Sequence, residues 1–194
     1  ESNLNIYFKE EFQGNLEWDL IGHHNALNAL AAVAAAKHVG ISSDKSISAL
    51  CKFKNVKKRM ELLESINGIN IYDDFAHHPT AIKTTLEGLR NKIGNKRIIA
   101  IIEPRSNTMR IGKMKHDLLK SLKEADSIFC FSRDLTWDPK ILFKDNTNAI
   151  VITDVDELAN KIVGHCSSGD NIIFMSNGGF SGLQSKVAHL LKDE

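Results

Sequence analysis

Five short apolar runs, most of them rich in isoleucine, constrain the fold of this chain more than any other feature. They are INIY (69–72), IIAII (98–102), SIFCF (127–131), AIVI (149–152) and NIIFM (171–175). Continuous apolar runs of this length are typical of parallel strands that are buried on both faces of a sheet. We therefore predict a parallel sheet over the last two thirds of the chain.

Segments with helical spacing of apolar residues separate or follow these runs. The predicted stripes are Ile82, Leu86, Leu89 and Ile93; Ile111, Met114, Leu118 and Leu122; Val155, Leu158, Ile162 and Val163; and Leu183, Val187, Leu190 and Leu191. Alternation of strands and helices predicts an α/β fold with a Rossmann-like, doubly wound, mainly parallel sheet and right-handed crossovers.

The first 55 residues have a different pattern. LNIYFKEEFQGNLEWDL predicts two strands joined by a turn at Gln13-Gly14-Asn15. An alanine-rich helix that ends at Gly40 follows, then a second helix that runs to about Phe53 and a polar linker, KNVKKR. A hairpin and two helices are too little for a domain, so we expect residues 1–55 to be the end of a preceding domain and residues 56–194 to be a complete one.

Composition narrows the classes of partner. The 194 residues carry 25 basic and 24 acidic side chains, a net charge of +1, which disfavours nucleic acid and anionic membranes as partners. The three cysteines are odd in number and widely spaced, which predicts reduced, buried thiols and no disulfide framework or zinc site. The sequence has no apolar run of 18 residues and no signal pattern at its start, so we expect a cytoplasmic protein.

Polar clusters follow four of the predicted strands. Because ligands bind beyond the carboxyl ends of parallel strands, these clusters predict one binding cleft, although such loops are polar in most proteins. The clusters are Asp73, Asp74, His77 and His78; Glu103, Arg105, Ser106, Asn107, Thr108 and Arg110; Ser132 and Arg133; and SNGGFSG (176–182).

The segment DDFAHHP (73–79) allows several interpretations. Pro79 suits the first position of a helix, which places His77 and His78 beside a helix N-terminus that favours anions. The two acids and two histidines could instead hold a divalent metal, as in a metal-dependent hydrolase. Adjacent residues at a strand end point to opposite faces, which argues against that site. A histidine that only caps the loop is a further alternative.

The remaining candidates have equally plain alternatives. The glycines of SNGGFSG do not have the dinucleotide-binding spacing, so this loop is a tight turn, a set of backbone N–H groups for a carboxylate or phosphate, or both. Arg105 could grip a carboxylate through two hydrogen bonds or could be a solvated surface side chain. Arg59 could belong to a basic linker, and His24, Asn25 and Asn28 could cap a helix.

Several segments together resemble the Mur ligase family, the ATP-dependent amide-bond-forming enzymes of bacterial cell-wall synthesis. They are GHHNALNALAAVAAA, Arg59-Met60-Glu61, YDDFAHHPTAI, IEPRSNTMRIG and MSNGGFSG, and they span essentially the whole chain. The sequence departs from the family in lacking the G-x-x-x-x-G-K-[ST] phosphate loop, the carbamylated lysine and the UDP-sugar domain. Ser181 and Gln184 also replace a usual glycine and a frequent histidine.

The resemblance implies that the chain is the end of the ATPase domain plus the complete C-terminal domain of a ligase. It implies a reaction in which the tripeptide L-Ala-γ-D-Glu-meso-diaminopimelate is joined to UDP-N-acetylmuramate through an acyl phosphate, in peptidoglycan recycling. ATP and magnesium would be the cofactors, bound mainly by residues outside this chain. The alternatives are ligation of free L-alanine to the same nucleotide sugar, and a non-catalytic module that binds a carboxylate or peptide.

The resemblance also implies a role for each candidate residue. His24, Asn25 and Asn28 would lie near the adenine, and Arg59 and Asp74 near the ribose and phosphates. His77 and His78 would line the reacting centre as catalytic residues. The carboxylates of the tripeptide would be held by Arg105, Ser106, Asn107, Ser176, Asn177, Gly178 and Gly179. The resemblance further implies that the protein is a monomer and that this chain alone is inactive.

Overall fold

The structure is a computed structural model that describes residues 2–20 and 22–193. The chain divides into two compact units between Val56 and Lys57. None of the helices in the described part of the chain is long and apolar enough to cross a membrane.

The first unit is an antiparallel hairpin with two helices. The strands are β1 (Asn3–Phe8) and β2 (Glu11–Glu17), and the helices are α1 (His23–His38) and α2 (Ser43–Cys51). Its core is small and consists of Ile6, Leu16, Trp18, Leu20, Ala29, Val33 and Ile47. Cys51, which we expected to be buried, is exposed at the end of α2.

The hairpin turn lies four residues before the predicted position. Lys9 and Glu10 form it, and both have a positive φ, of 48° and 69°. A two-residue turn with both residues left-handed matches the twist of the flanking strands. Gly14 lies inside β2, where a Cβ atom would come within 2.9 Å of the Ile47 side chain. Gly14 therefore marks close packing of α2 on the hairpin and not a turn.

The second unit is a mainly parallel sheet flanked by helices, as predicted, but it has six strands instead of the five expected. The strands are β3 (Glu61–Ile66), β4 (Ile69–Asp74), β5 (Ile98–Ile102), β6 (Ser127–Phe131), β7 (Ala149–Ile152) and β8 (Asn171–Met175). The helices are α3 (Pro79–Ile93), α4 (Asn107–Arg110), α5 (Lys115–Ser121), α6 (Pro139–Leu142), α7 (Val155–Val163) and α8 (Leu183–Asp193). The strand order is β3-β4-β8-β5-β6-β7, with β3 antiparallel to β4 and every other pair parallel.

Two predictions about the elements were wrong. The strand β3 was not foreseen, because its sequence ELLESI carries two acids and most of its side chains are exposed at the edge of the sheet. The helix predicted over residues 111–122 is shorter: α5 covers only Lys115–Ser121, and a break separates it from α4, which ends at Arg110. Gly112 between them has φ 71°, and the Trp137 ring lies 3.0 Å from where its Cβ would be. The break lets the chain turn beneath that ring.

The sheet has an apolar core on each face. Along the central strand β8, Ile172 and Phe174 belong to one cluster, whereas Ile173 and Met175 belong to the other. This follows from the two-residue side-chain period of a strand. Helices α7 and α8 contribute to the first cluster, and α3 and α5 contribute to the second. With both faces covered, the carboxyl ends of the parallel strands remain the open edge of the unit.

Candidate active site

The predicted polar loops of the second unit meet at the carboxyl end of the parallel strands, here called the rim. Asp74 pairs with Met175 of the central strand, and Ile102 pairs with the same residue from the other side. Ile102 in turn pairs with Cys130. The loops after β4, β5, β6 and β8 therefore begin at one level, which is the arrangement expected for a single cleft.

The two acids at the end of β4 make different contacts, as their alternation predicts. The Asp73 carboxylate is buried and accepts a hydrogen bond from Gln184 Nε2 at 3.4 Å. Burial raises the pKa of Asp73, and this outweighs the opposing effect of the Lys58 charge. The Asp74 carboxylate accepts hydrogen bonds from Met60 N and Ala76 N, both at 2.7 Å, and from Thr85 Oγ1 at 3.2 Å. Asp74 is therefore a buried organiser of the loops around it.

Asp74 fixes a short segment that carries Arg59, here called the hook (residues 58–60). Lys58 and Met60 both have a positive φ, of 57° and 49°. Phe75 N donates to Lys58 O at 2.8 Å, and Met60 N donates to Asp74. The Arg59 guanidinium lies 5.9 Å from the centre of the Phe75 ring. The hook is thus bound to the end of β4, and it presents Arg59 on an exposed part of the rim.

The two histidines lie at the start of α3, with Pro79 at its first turn as predicted. His77 Nδ1 is 2.8 Å from Phe75 O, and His78 Nδ1 is 3.1 Å from Met114 Sδ. A carbonyl oxygen can only accept, so His77 Nδ1 carries the proton and Nε2 has the lone pair in the neutral ring. The ring centres are 4.9 Å apart and both side chains are half-buried. Each ring therefore has one nitrogen fixed by the protein.

The loop after β8, here called the peptide loop (Ser176–Gly179), is anchored to the loop after β5. Ser176 Oγ donates to Glu103 Oε2 at 2.5 Å, and Gly178 N donates to Ser176 Oγ at 2.8 Å. Glu103 is buried, and we had assigned no role to it before. An acid directly after a wholly apolar strand was the signal in the sequence that could have marked it.

Arg105 lies directly against the peptide loop. A Cβ atom on Gly178 would come within 2.7 Å of Arg105 Cζ and 2.8 Å of its Cδ. Next to Gly178 in the sequence, Asn177 Oδ1 is buried and has no hydrogen-bond partner. Ser106 is the N-cap residue of the four-residue helix α4, and Asn107, its first residue, is exposed. The structure thus brings the Arg105 side chain into contact with the peptide loop at Gly178.

The two departures from the family motif also lie on this edge. Ser181 has φ 53°, a left-handed conformation that glycine adopts without strain, and Arg133 Nη1 is 3.4 Å from its Oγ. Gln184 contacts Asp73, as described above. Ser181 and Gln184 therefore each contact a polar side chain of the rim, Arg133 and Asp73 respectively.

His24, Asn25 and Asn28 lie in the first unit at the start of α1. The N-cap residue is Gly22, with φ 94°, and no side chain caps this end of the helix. The His24 ring lies over Gly22, where a Cβ would be 2.7 Å from its Cε1 atom. His24 and Asn28 are exposed and Asn25 is half-buried. These three residues therefore lie in the first two turns of α1, after a glycine at the N-cap position.

Asp73, Asp74, His77 and His78 form no common ligand set for a metal in the part of the chain that the structure describes. In the described ranges, 2–20 and 22–193, no three His, Cys, Asp or Glu side chains are placed to hold a metal ion. Asp73 and Asp74 contact different neighbours, as described above, and the Nδ1 atoms of the two histidines are already engaged. These residues do not support the metal-dependent hydrolase that the sequence left open.

Comparison with known proteins identifies the class of this domain. Residues 58–178 match the family described as Mur ligase, glutamate ligase domain. The chain belongs to the Mur ligase family.

Two relatives align with nearly the whole chain. It is 43% identical to the UDP-N-acetylmuramate–L-alanyl-γ-D-glutamyl-meso-2,6-diaminoheptandioate ligase of Escherichia coli (strain K12), over 96% of this chain and 41% of that protein. It is 30% identical to the UDP-N-acetylmuramate–L-alanine ligase of Ligilactobacillus salivarius (strain UCC118), over 99% of this chain and 44% of that protein. The chain thus spans less than half the length of these relatives.

A solved structure has the same architecture. The crystal structure of a murein peptide ligase from Psychrobacter arcticus 273-4 matches with a TM-score of 0.75 and 37% identity, over 100% of this chain and 42% of that one. The predicted resemblance to the family, and within it to its tripeptide-joining members, is confirmed.

Proposed function

We propose that this chain is the C-terminal part of an ATP-dependent ligase that joins L-Ala-γ-D-Glu-meso-diaminopimelate to UDP-N-acetylmuramate in peptidoglycan recycling. The observation that carries the proposal is the position of Arg105 against Gly178, whose neighbour in the sequence, Asn177, has an amide oxygen with no hydrogen-bond partner. A guanidinium can bind a carboxylate through two hydrogen bonds, and an amide oxygen accepts from an N–H group. A peptide with several carboxylates offers both kinds of partner.

In this reaction ATP would supply the phosphoryl group that activates the lactyl carboxylate, and the amine of the tripeptide would then displace phosphate to form the amide. The residues of this chain act mainly by positioning and by charge stabilisation. Arg105, Ser106, Asn107 and the peptide loop would hold the peptide. His77 and His78 would line the reacting centre, where the lone pair on His77 Nε2 can accept a proton or orient the amine.

The nucleotide side of the proposal rests on fewer contacts. The exposed His24 and Asn28 with the half-buried Asn25 fit the edge of an adenine, and Arg59 fits a phosphate or ribose hydroxyl. Asp74, whose carboxylate already accepts three hydrogen bonds, would act by holding the hook and not by touching the nucleotide.

This chain supplies only part of a nucleotide site. The sequence carries no phosphate-loop motif, and no cluster among the described residues fits magnesium. ATP and magnesium would therefore be held mainly by residues outside this chain. The proposal accordingly treats residues 1–55 as the end of an ATPase domain, the isolated chain as inactive, and the whole enzyme as a cytoplasmic monomer.

The alternative substrate is free L-alanine, which the Ligilactobacillus relative's name specifies. The higher identity to the tripeptide-joining relative favours the tripeptide. A non-catalytic module that binds the same peptide would share the Arg105 site, and the ligase assay with the complete gene product would separate it from the enzyme.

The direct test is calorimetric titration of this chain with the tripeptide and with L-alanine. We expect weak binding of the tripeptide, no binding of L-alanine, and loss of at least about tenfold in affinity in Arg105→Ala, because a charge-assisted pair is removed. Lys113→Ala, which removes an exposed positive charge from the segment between α4 and α5, is the control and should bind like the wild type. Tripeptide binding that Arg105→Ala leaves unchanged would refute the assignment of this site.

A further inference from the structure

Three parts of the rim converge on Gly178. Its N–H donates to Ser176, which is bound to Glu103, and Arg105 lies against its Cα. Its carbonyl oxygen accepts a hydrogen bond from Lys58 Nζ at 2.6 Å. Both backbone polar groups of this residue are therefore engaged, and Lys58 and Arg105 contact it from two different segments outside the loop.

Lys58 is the member of this set that comes from the hook. Its N–H donates to Glu61 Oε2 at 2.8 Å and its carbonyl oxygen accepts from Phe75 N at 2.8 Å. It has φ 57°, a conformation that favours glycine, yet the residue is a half-buried lysine whose side chain crosses to a loop 120 residues away. A non-glycine residue held in this conformation is worth a functional explanation.

We propose that Lys58 is a positioning residue that couples the hook, which carries Arg59, to the peptide loop, which seats Arg105. This rests on the proposed function, because the hook is assigned to the nucleotide and the peptide loop to the tripeptide. The Lys58 ammonium fixes the carbonyl of Gly178 and so fixes the surface against which Arg105 lies. Without the Lys58 ammonium, the position of Arg105 against Gly178 is less well defined, whereas the hook stays bound to Asp74 and Phe75.

The test is steady-state kinetics of the complete ligase with Lys58→Met. We expect the KM for the tripeptide to rise about tenfold, because a hydrogen bond from a charged group is lost, and kcat to change by less than about threefold. The KM for UDP-N-acetylmuramate should stay unchanged. Lys58→Arg keeps the charge and a donor, so it should restore the KM to within about threefold of the wild type.

Lys57→Met is the matched control. Lys57 is the exposed neighbouring lysine, so its loss changes the charge equally without removing the contact to Gly178, and its KM should equal that of the wild type. A thermal unfolding curve of the 194-residue chain carrying each substitution verifies that the fold is retained. If Lys58→Met does not fold, Lys58→Gln replaces it, with the same expected rise in KM.

The outcomes separate the two proposals. If the wild-type enzyme does not join the tripeptide, the proposed function is wrong. If the wild type joins it and the Lys58 variant has an unchanged KM, or if Lys57→Met shows the same rise, the coupling role of Lys58 is wrong and the proposed function stands.

Discussion

At the scale of single residues, one position of the peptide loop, Gly178, has no space for a larger side chain. Gly178 has Arg105 against its Cα, whereas a Cβ on Gly179 would have no atom within 4 Å. The two adjacent glycines of this motif therefore differ in how much room they leave for a side chain. The first is required by a neighbouring side chain, and the second has open space around it.

Gly178→Ala should weaken tripeptide binding by this chain while leaving its stability nearly unchanged. The added methyl group would displace the guanidinium of Arg105, which is the end of a flexible side chain, so the backbone need not move. We expect at least about a tenfold loss of affinity in calorimetry and a change in unfolding free energy within about 1 kcal/mol.

Gly179→Ala is the matched control for this variant, because it adds the same methyl group one residue away in open space. It should bind the tripeptide like the wild type. Equal losses of affinity in the two variants would show that the loop needs glycine for its backbone and not for Arg105.

At the scale of elements, one carboxylate holds the hook to the sheet. Asp74 lies at the last position of β4, and its oxygens accept from Met60 N in the hook and from Ala76 N in the loop after β4. Left-handed backbone conformations are unfavourable for Lys58 and Met60, so the hook keeps them only because the surrounding contacts hold it. The hydrogen bond from Met60 N to Asp74 therefore helps to determine where Arg59 lies.

Asp74→Asn should destabilise the second unit by about 2–4 kcal/mol, because an amide nitrogen would replace one oxygen and face a backbone N–H donor in a buried place. Urea unfolding of the chain measures the effect. Asp134→Asn, at an exposed side chain, is the control and should change the free energy of unfolding by less than about 0.5 kcal/mol. Similar values for the two variants would mean that Asp74 does not hold the hook.

At the scale of the whole molecule, the two units differ in how much core each has. The second unit contains clusters on both faces of its sheet, whereas the first has seven buried apolar residues in its cluster. A chain of about 60 residues buries only about 60% of the surface that its unfolded form exposes, so it is marginally stable alone. The boundary between Val56 and Lys57 is therefore a natural place to divide the chain.

Residues 57–194 expressed alone should fold with a cooperative thermal transition, because both sheet faces are covered within the unit. Circular dichroism and a thermal melt of this fragment provide the test. The matching fragment, residues 1–56, should lack such a transition. A broad, non-cooperative melt of residues 57–194 would show that its core depends on the first unit.

The sequence by itself determined the elements whose signals are local. The runs at 98–102, 127–131 and 171–175 are strands because uninterrupted apolar residues are stable only when both faces are covered. Pro79 begins α3 because its fixed φ and missing N–H suit that position. The rim of polar loops followed from the parallel arrangement of these strands.

Only the tertiary structure decided which residues act together at that rim. The position of β8 between β4 and β5 brings Gly178 beside Arg105 and Lys58, although the three are far apart in the sequence. The edge strand β3 and the turn at Lys9 and Glu10 carried no strong local signal. The physical reason is that propensity and periodicity act over a few residues, whereas contacts at this edge join segments whose proximity depends on the order of strands in the sheet.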